Sequence, residues 1–277
     1  MEAQVNEAIR VACGQFEPVF GDLNANLLKI QQMVEEADAD LIVFPELCTC
    51  GYELKDRHEA EAVALDLDNG NEIEWLRNVS NHSGTHIVLG LPERSKNKIY
   101  NGCVLIEPSG RITRYHKLHL FDREKNLFDP GEAVPSVVDT AIGRIGMMIC
   151  FDWIFPEVAR VLALAGVQII CHPSNLVLSF CQKAMFARSV ENGVFTMTCN
   201  RIGSEKRTDR TLTFTGASQI LSHRGVTLAQ AATDKEEVIS TEIKPVEADN
   251  KMITELNDRL KDRRRIFYRT LIDGINQ

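Results

Sequence analysis

Apolar residues along this chain recur in two alternating rhythms, and the switches between them lay out an α/β protein. Residues 8–16, AIRVACGQF, form a run fit for a first buried strand. After a turn at 18–22, Leu27, Ile30, Val34 and Ala37 keep helical spacing. Residues 41–44 read as a second strand that stops at Pro45 and delivers Glu46. A helix over 68–84 and a strand over 85–93 follow. Residues 98–117 hold two β-like runs around Pro108, Ser109 and Gly110, a hairpin whose second arm ends at Lys117. The stretch 119–132 is polar and turn-rich but carries Leu120, Phe121, Leu127 and Phe128, as a loop that packs would.

Residues 143–175 form the central unit. The short apolar run 145–149 reads as a strand delivering Cys150, 154–165 as the following helix, and 167–171 as a second strand. In open α/β sheets, sites lie at the carboxyl ends of strands, where Cys150 falls. Beyond it, 179–193 reads as a helix, 194–200 as a strand, 213–225 as two short strands or one bent one, and 238–243 as a last strand. Met252, Leu256 and Leu260 at spacing four predict a charged closing helix over 248–267, with a tail after it. Two β/α halves flank the hairpin, and helices on both faces would bury the sheets.

Composition narrows the reading. A chain of 277 residues with no linker-like stretch or compositional break predicts one domain over 1–277, with 245–277 as its carboxyl-terminal portion. The formal charge of -8, with both signs interspersed, gives no general attraction for nucleic acid or anionic membranes. The opening MEAQVNEAIR has no apolar core of a secretory signal, and no run reaches membrane-spanning length. Eight cysteines at irregular spacing form no disulfide framework, and free thiols suit a reducing, cytoplasmic setting. No GxGxxG or GxxxxGK[ST] occurs and Cys48, Cys50, Cys171, His172 and Cys181 match no closed zinc pattern, so neither cofactor nor metal is expected.

A cysteine at a strand end can act as a nucleophile if a base takes its proton and donors hold the oxyanion. Two kinds of base compete. His116, His119 or His172 would make a Cys-His hydrolase, against a bland reading of each as a structural imidazole. Glu46, in the apolar setting IVFPEL, should have a raised pKa and act as a general base near neutrality. Lys117 beside both would lower the thiol's pKa, leaving Cys150 partly ionised at neutral pH, and would donate to an oxyanion. The bland reading of Glu46 and Lys117 is surface charge.

Three stretches in order, IVFPELCTCGY around Glu46, GRITRYHKLHLFD around Lys117 and GRIGMMICFDWIFPEVAR around Cys150, make the chain resemble the nitrilase-like carbon-nitrogen hydrolases over nearly its whole length. Within that family it resembles the thermophilic archaeal-type branch, on the arrangement HLFDREKNLFDPG. The resemblance implies a four-layer αββα sandwich whose subunits pair into a dimer or higher even oligomer through the helix after Cys150 and the tail. It implies Glu46 as general base and then acid, Lys117 as stabiliser of the tetrahedral intermediate, and Cys150 as the thioester-forming nucleophile. A second glutamate that orients the lysine corresponds to Glu124, with Glu132 as its rival. The backbone N–H of Phe151 would complete the oxyanion site, and Trp153, Phe155, Asn175 and His119 become candidates for the pocket.

The implied reaction is hydrolysis of a small amide, with a nitrile as the other substrate class and an N-carbamoyl acid hydrolase or omega-amidase as further readings. A catalytically silent interaction protein is the reading from another class, and it would require the triad to be incidental. Relatives that hold a substrate carboxylate carry a base soon after the cysteine. Here the position four beyond Cys150 is Ile154, so neutral amides are expected to be preferred unless Lys183, Arg188 or Arg201 substitutes.

Overall fold

The structure is a computed structural model that describes residues 7–273. The opening residues read above for a leader lie, through residue 6, outside the described residues, as do the last four of the tail. Two β-sheets form the centre. The first has the order Glu237–Ile243, Ile9–Gln15, Leu41–Val43, His86–Ser95, Lys98–Ile106, Ile112–His116, with Leu65–Asp66 paired to His86–Ser95 off this path. The second has the order Thr227–Gln230, Gln219–Leu221, Phe195–Cys199, Ile169–Pro173, Gly143–Met147, Val137–Thr140. The central strands of each run parallel, as strands joined by crossover helices do.

The two-residue period of the strands decides what each side chain faces. Val11, Cys13, Leu41 and Val43 of the first sheet join Met147, Ile169, Cys171 and Met197 of the second in one buried cluster between the sheets. Their neighbours Ala12 and Ile42 point the other way, against Leu27, Ile30, Val34, Ile73 and Leu76 of the helices Leu23–Ala37 and Asn71–Ser83. The helices Pro156–Leu164 and Cys181–Asn192 cover the second sheet with Val158, Leu162 and Met185. The layering is therefore helix, sheet, sheet, helix, as the resemblance implied. All eight cysteines are unpaired and buried.

Three sequence expectations need correction. The helix Arg57–Val63 went unread, because it is mostly polar and buries only Ala60. The stretch 119–132 is not all loop, since Glu124–Leu127 makes one helical turn. The closing helix over 248–267 does not form. Pro245–Asp249 is a 3-10 turn, Met252 bridges Asp258, and among the described residues only Arg265–Phe267 and Thr270–Asp273 are helical beyond it. Asp258 Oδ1 accepts the backbone N–H groups of Leu260 and Lys261 at 2.9 and 2.8 Å, a local bond that competes with helix.

Candidate active site

Glu46, Lys117 and Cys150 arrive from different strands and meet at the carboxyl end of both sheets. Glu46 lies three residues beyond Leu41–Val43, Lys117 follows Ile112–His116, and Cys150 opens a 3-10 turn, Cys150–Ile154, after Gly143–Met147. Cys150 has φ 37°, a left-handed conformation that costs a non-glycine residue energy. Asp152 holds the turn: its Oδ2 accepts the Ile149 N–H at 3.0 Å and the Tyr115 hydroxyl at 2.8 Å. Gly90 allows the neighbouring strand to approach Glu46, because a Cβ there would stand 2.5 Å from the Glu46 Cα.

Lys117 is wholly buried between two carboxylates. Its Nζ donates to Glu46 Oε1 at 2.6 Å and to Glu124 Oε1 and Oε2 at 2.8 and 2.7 Å. Burial alone would push this ammonium's pKa down, but Glu124 and Glu46 outweigh it and hold the pKa above the ordinary lysine value. Glu46 Oε1 also accepts from Asn101 Nδ2 at 2.7 Å, while its Oε2 is buried without a partner. Burial raises the Glu46 pKa, and Glu124 adds to the rise against the pull of Lys117 and Asn101. A base with a raised pKa is what the sequence led one to expect.

Glu124 is fixed by three donors. Besides Lys117, its Oε1 accepts the buried Tyr52 hydroxyl at 2.7 Å, and its Oε2 accepts the Phe121 N–H at 3.0 Å. Tyr52 is held in turn by Glu205, which accepts the N–H groups of Tyr52 and Glu53 and pairs with the buried Arg201. Glu132, the rival, pairs with Lys98 on the surface at 2.6 Å and takes no part. Sequence reasoning missed Tyr52 and Asn101. Tyr52 stood inside the quoted motif with no spacing signal to mark it, and Asn101 lies 55 residues from the carboxylate it holds.

The thiol departs from expectation. Burial pushes the Cys150 pKa well up, Glu46 and Glu124 reinforce this, and Lys117 and the Asn175 N–H oppose it without prevailing. Cys150 is therefore a neutral thiol at rest, not partly ionised. None of the three candidate histidines makes a hydrogen bond to the thiol. His172 donates from Nε2 to the Cys150 carbonyl at 2.9 Å, and burial pushes its pKa down to about 4, so it is a neutral prop for the turn. His116 contacts Glu93 and stacks on Tyr100, and His119 contacts Asp152 at 2.8 Å and stacks on Phe155.

The pocket at Cys150 is about 20 Å³, walled by Phe121, Phe151, Trp153, Asn175, Leu176 and Leu178. Phe155 lies behind this wall, edge-on to Phe151. Ile154 is 41% exposed and does not line it. Arg188 is spent on the Trp153 carbonyl and Glu191, and Arg201 on Glu205. Lys183 lines a larger groove of about 870 Å³ with Gln182, Phe186 and Phe214. That groove is roomier but holds none of the reacting groups, so the small pocket is the candidate site. Cys48 and Cys50 are core thiols bonded to the carbonyls of Gly90 and Gly51 and do not line the pocket. Among the described residues, no three His, Cys, Asp or Glu side chains group to hold a metal, and no helix is long and apolar enough to cross a membrane.

Comparison with known proteins gives a consistent result. The family model for carbon-nitrogen hydrolases matches residues 10–250. A protein named nitrilase from Pyrococcus abyssi is 40% identical over 94% of this chain and 99% of its own length. An (R)-stereoselective amidase from a Pseudomonas species is 29% identical over 88% of this chain and 87% of its own. Among solved structures, a carbon-nitrogen hydrolase from Helicobacter pylori G27 superposes with TM-score 0.85 at 24% identity, covering 96% of this chain and 99% of that one.

Proposed function

Because the chain belongs to the carbon-nitrogen hydrolase family, we propose that it hydrolyses a small amide to the carboxylic acid and ammonia through a thioester on Cys150. The observation that carries this reading is Lys117 bridging Glu46 and Glu124, buried, with all three charges acting on the Cys150 thiol. Glu46 takes the thiol proton as the sulfur attacks the carbonyl carbon. The oxyanion forms beside the Lys117 ammonium and the Phe151 N–H. Glu46 then returns the proton to the departing nitrogen, the C–N bond breaks and ammonia leaves. Water adds to the thioester, with Glu46 again as base, and releases the acid and the thiol. Glu124 orients Lys117 throughout.

The pocket walls favour a small acyl group without charge. The cations that could have replaced the missing base near Cys150 are either bonded elsewhere or outside the pocket. A nitrile is the second reading, favoured by the name of the Pyrococcus relative. It would form a thioimidate first and then join the same thioester path. Ammonia release from matched short amides and nitriles, with Cys150→Ala as control, decides between them. Turnover of nitriles alone would refute the amidase reading.

The working unit is a hydrolase domain over the whole chain, assembled at least as a dimer. Val161 and Leu164 on the helix after Cys150 are exposed, as are Ile266, Phe267 and Leu271 near the carboxyl end. Apolar surface of this kind gains from cover by a second copy. A reducing cytoplasm suits the eight unpaired thiols.

A further inference from the structure

Ten buried side-chain polar atoms lack a partner among the described residues, and Asn175 is the one residue that contributes two of them. Its Nδ2 and Oδ1 are both unmet although the residue is only 3% exposed. An unmet buried polar group is costly, and protein interiors rarely keep one without a use. The backbone N–H groups around it are committed. The Ser174 N–H donates to the Cys199 carbonyl at 2.9 Å, and the Leu176 N–H donates to Asn200 Oδ1 at 2.8 Å. The Asn175 N–H is directed at the Cys150 sulfur, and the side chain lines the pocket with that same cysteine. A carboxamide with both ends free is therefore held rigidly beside the nucleophile.

We propose that Asn175 is a specificity residue that reads the carboxamide nitrogen of the substrate. Its Oδ1 accepts one N–H of the –NH2 group, leaving the other N–H for the unpartnered Glu46 Oε2. This rests on the amidase reading above. A primary amide offers two N–H donors once its oxygen faces Lys117 and the Phe151 N–H. A nitrile nitrogen offers none, so against a nitrile the Asn175 carbonyl stays unmet. Specificity of this kind comes from penalising the analogue that lacks the donor.

The test compares butyramide with butyronitrile. Calorimetric titration of Cys150→Ala and of Cys150→Ala/Asn175→Leu measures binding without turnover, and kcat/KM of wild type and Asn175→Leu measures the reaction. Expected is a loss at least fivefold greater for the amide than for the nitrile, about 1 kcal/mol. The melting temperature should hold or rise, because leucine removes an unmet polar group at similar size. Equal losses on both substrates, or no loss, would overturn the proposal. If the leucine variant does not fold, Asn175→Ser takes its place in the same assays. Wild-type turnover of nitriles alone defeats the amidase reading itself. Wild-type amide turnover with parallel losses in the variant defeats only the role of Asn175.

Discussion

Glu46→Gln separates the base from the scaffold. Glu46 Oε1 accepts from Lys117 Nζ at 2.6 Å and from Asn101 Nδ2 at 2.7 Å, whereas Oε2 has no partner. A glutamine keeps an oxygen for both donors and sets its NH2 where the free oxygen stood. The fold should survive, and only the ability to take a proton should go. General base catalysis contributes about 10²–10⁴ in rate, so kcat/KM on a short amide should fall by that factor, about 2.7–5.4 kcal/mol at 1.36 kcal/mol per decade. Retention of full activity would refute the assignment. Should a histidine variant be the one that loses activity, a Cys-His mechanism replaces it.

Stability should move the other way. Burial raises the Glu46 pKa in the folded protein despite Lys117. A carboxyl whose folded pKa exceeds its unfolded one contributes stability in full below the unfolded value, about 4.3, and loses it as pH rises through the folded value. Glutamine cannot ionise and escapes that loss. Glu46→Gln should therefore melt like wild type near pH 4 and above it near pH 8. A variant that becomes relatively less stable as pH rises would show that Lys117 outweighs burial after all. The acid limb of the wild-type rate profile should also lie above the range of an ordinary carboxylate.

Cys150→Ala should abolish turnover while leaving the melting temperature nearly unchanged, and mass spectrometry of quenched wild type should find an acyl adduct on Cys150. Tyr52→Phe removes one of the donors to Glu124, a bond to a charged group worth about 1.5–3 kcal/mol. It should lower kcat by roughly 10- to 100-fold with KM little altered, and an unchanged kcat would remove Tyr52 from the positioning network. A short aliphatic amide should be turned over faster than the matching dicarboxylic monoamide. A tenfold preference for the charged member, about 1.4 kcal/mol, would reverse the neutral-pocket reading. Light scattering should give at least twice the 31.1 kDa chain mass, and a concentration-independent monomer would contradict the assembly.

How much could be read in advance depended on whether a residue's position followed from chain periodicity. Glu46, Lys117 and Cys150 each follow a strand legible in the sequence, so their meeting at one edge of the sheets follows from strand direction. Tyr52 and Asn101 reach their carboxylates across 72 and 55 residues, and no local pattern encodes such pairing. The spacing of Met252, Leu256 and Leu260 misled because periodicity presumes a core to face. Leu256 is 88% exposed, and without a buried face the short bonds made by Asp258 prevail over helix. The same argument explains Arg57–Val63, whose single buried residue leaves no stripe to detect.

The neutral thiol follows from the charges around it. Glu46 and Glu124 bring two negative charges against the single positive charge of Lys117, all three nearly or wholly buried. A resting thiolate would add a second uncompensated negative charge to a dry pocket, which is why burial and Glu46 dominate the rise in the Cys150 pKa. In the proposed reaction, moving the proton from sulfur to Glu46 while the sulfur attacks would leave the net charge of the group unchanged. The negative charge that leaves the carboxylate reappears on the substrate oxygen, next to the Lys117 ammonium that Glu46 has partly released. On that proposal activation waits until substrate fills the pocket, and a reagent that reacts only with preformed thiolate should label Cys150 slowly in the free protein.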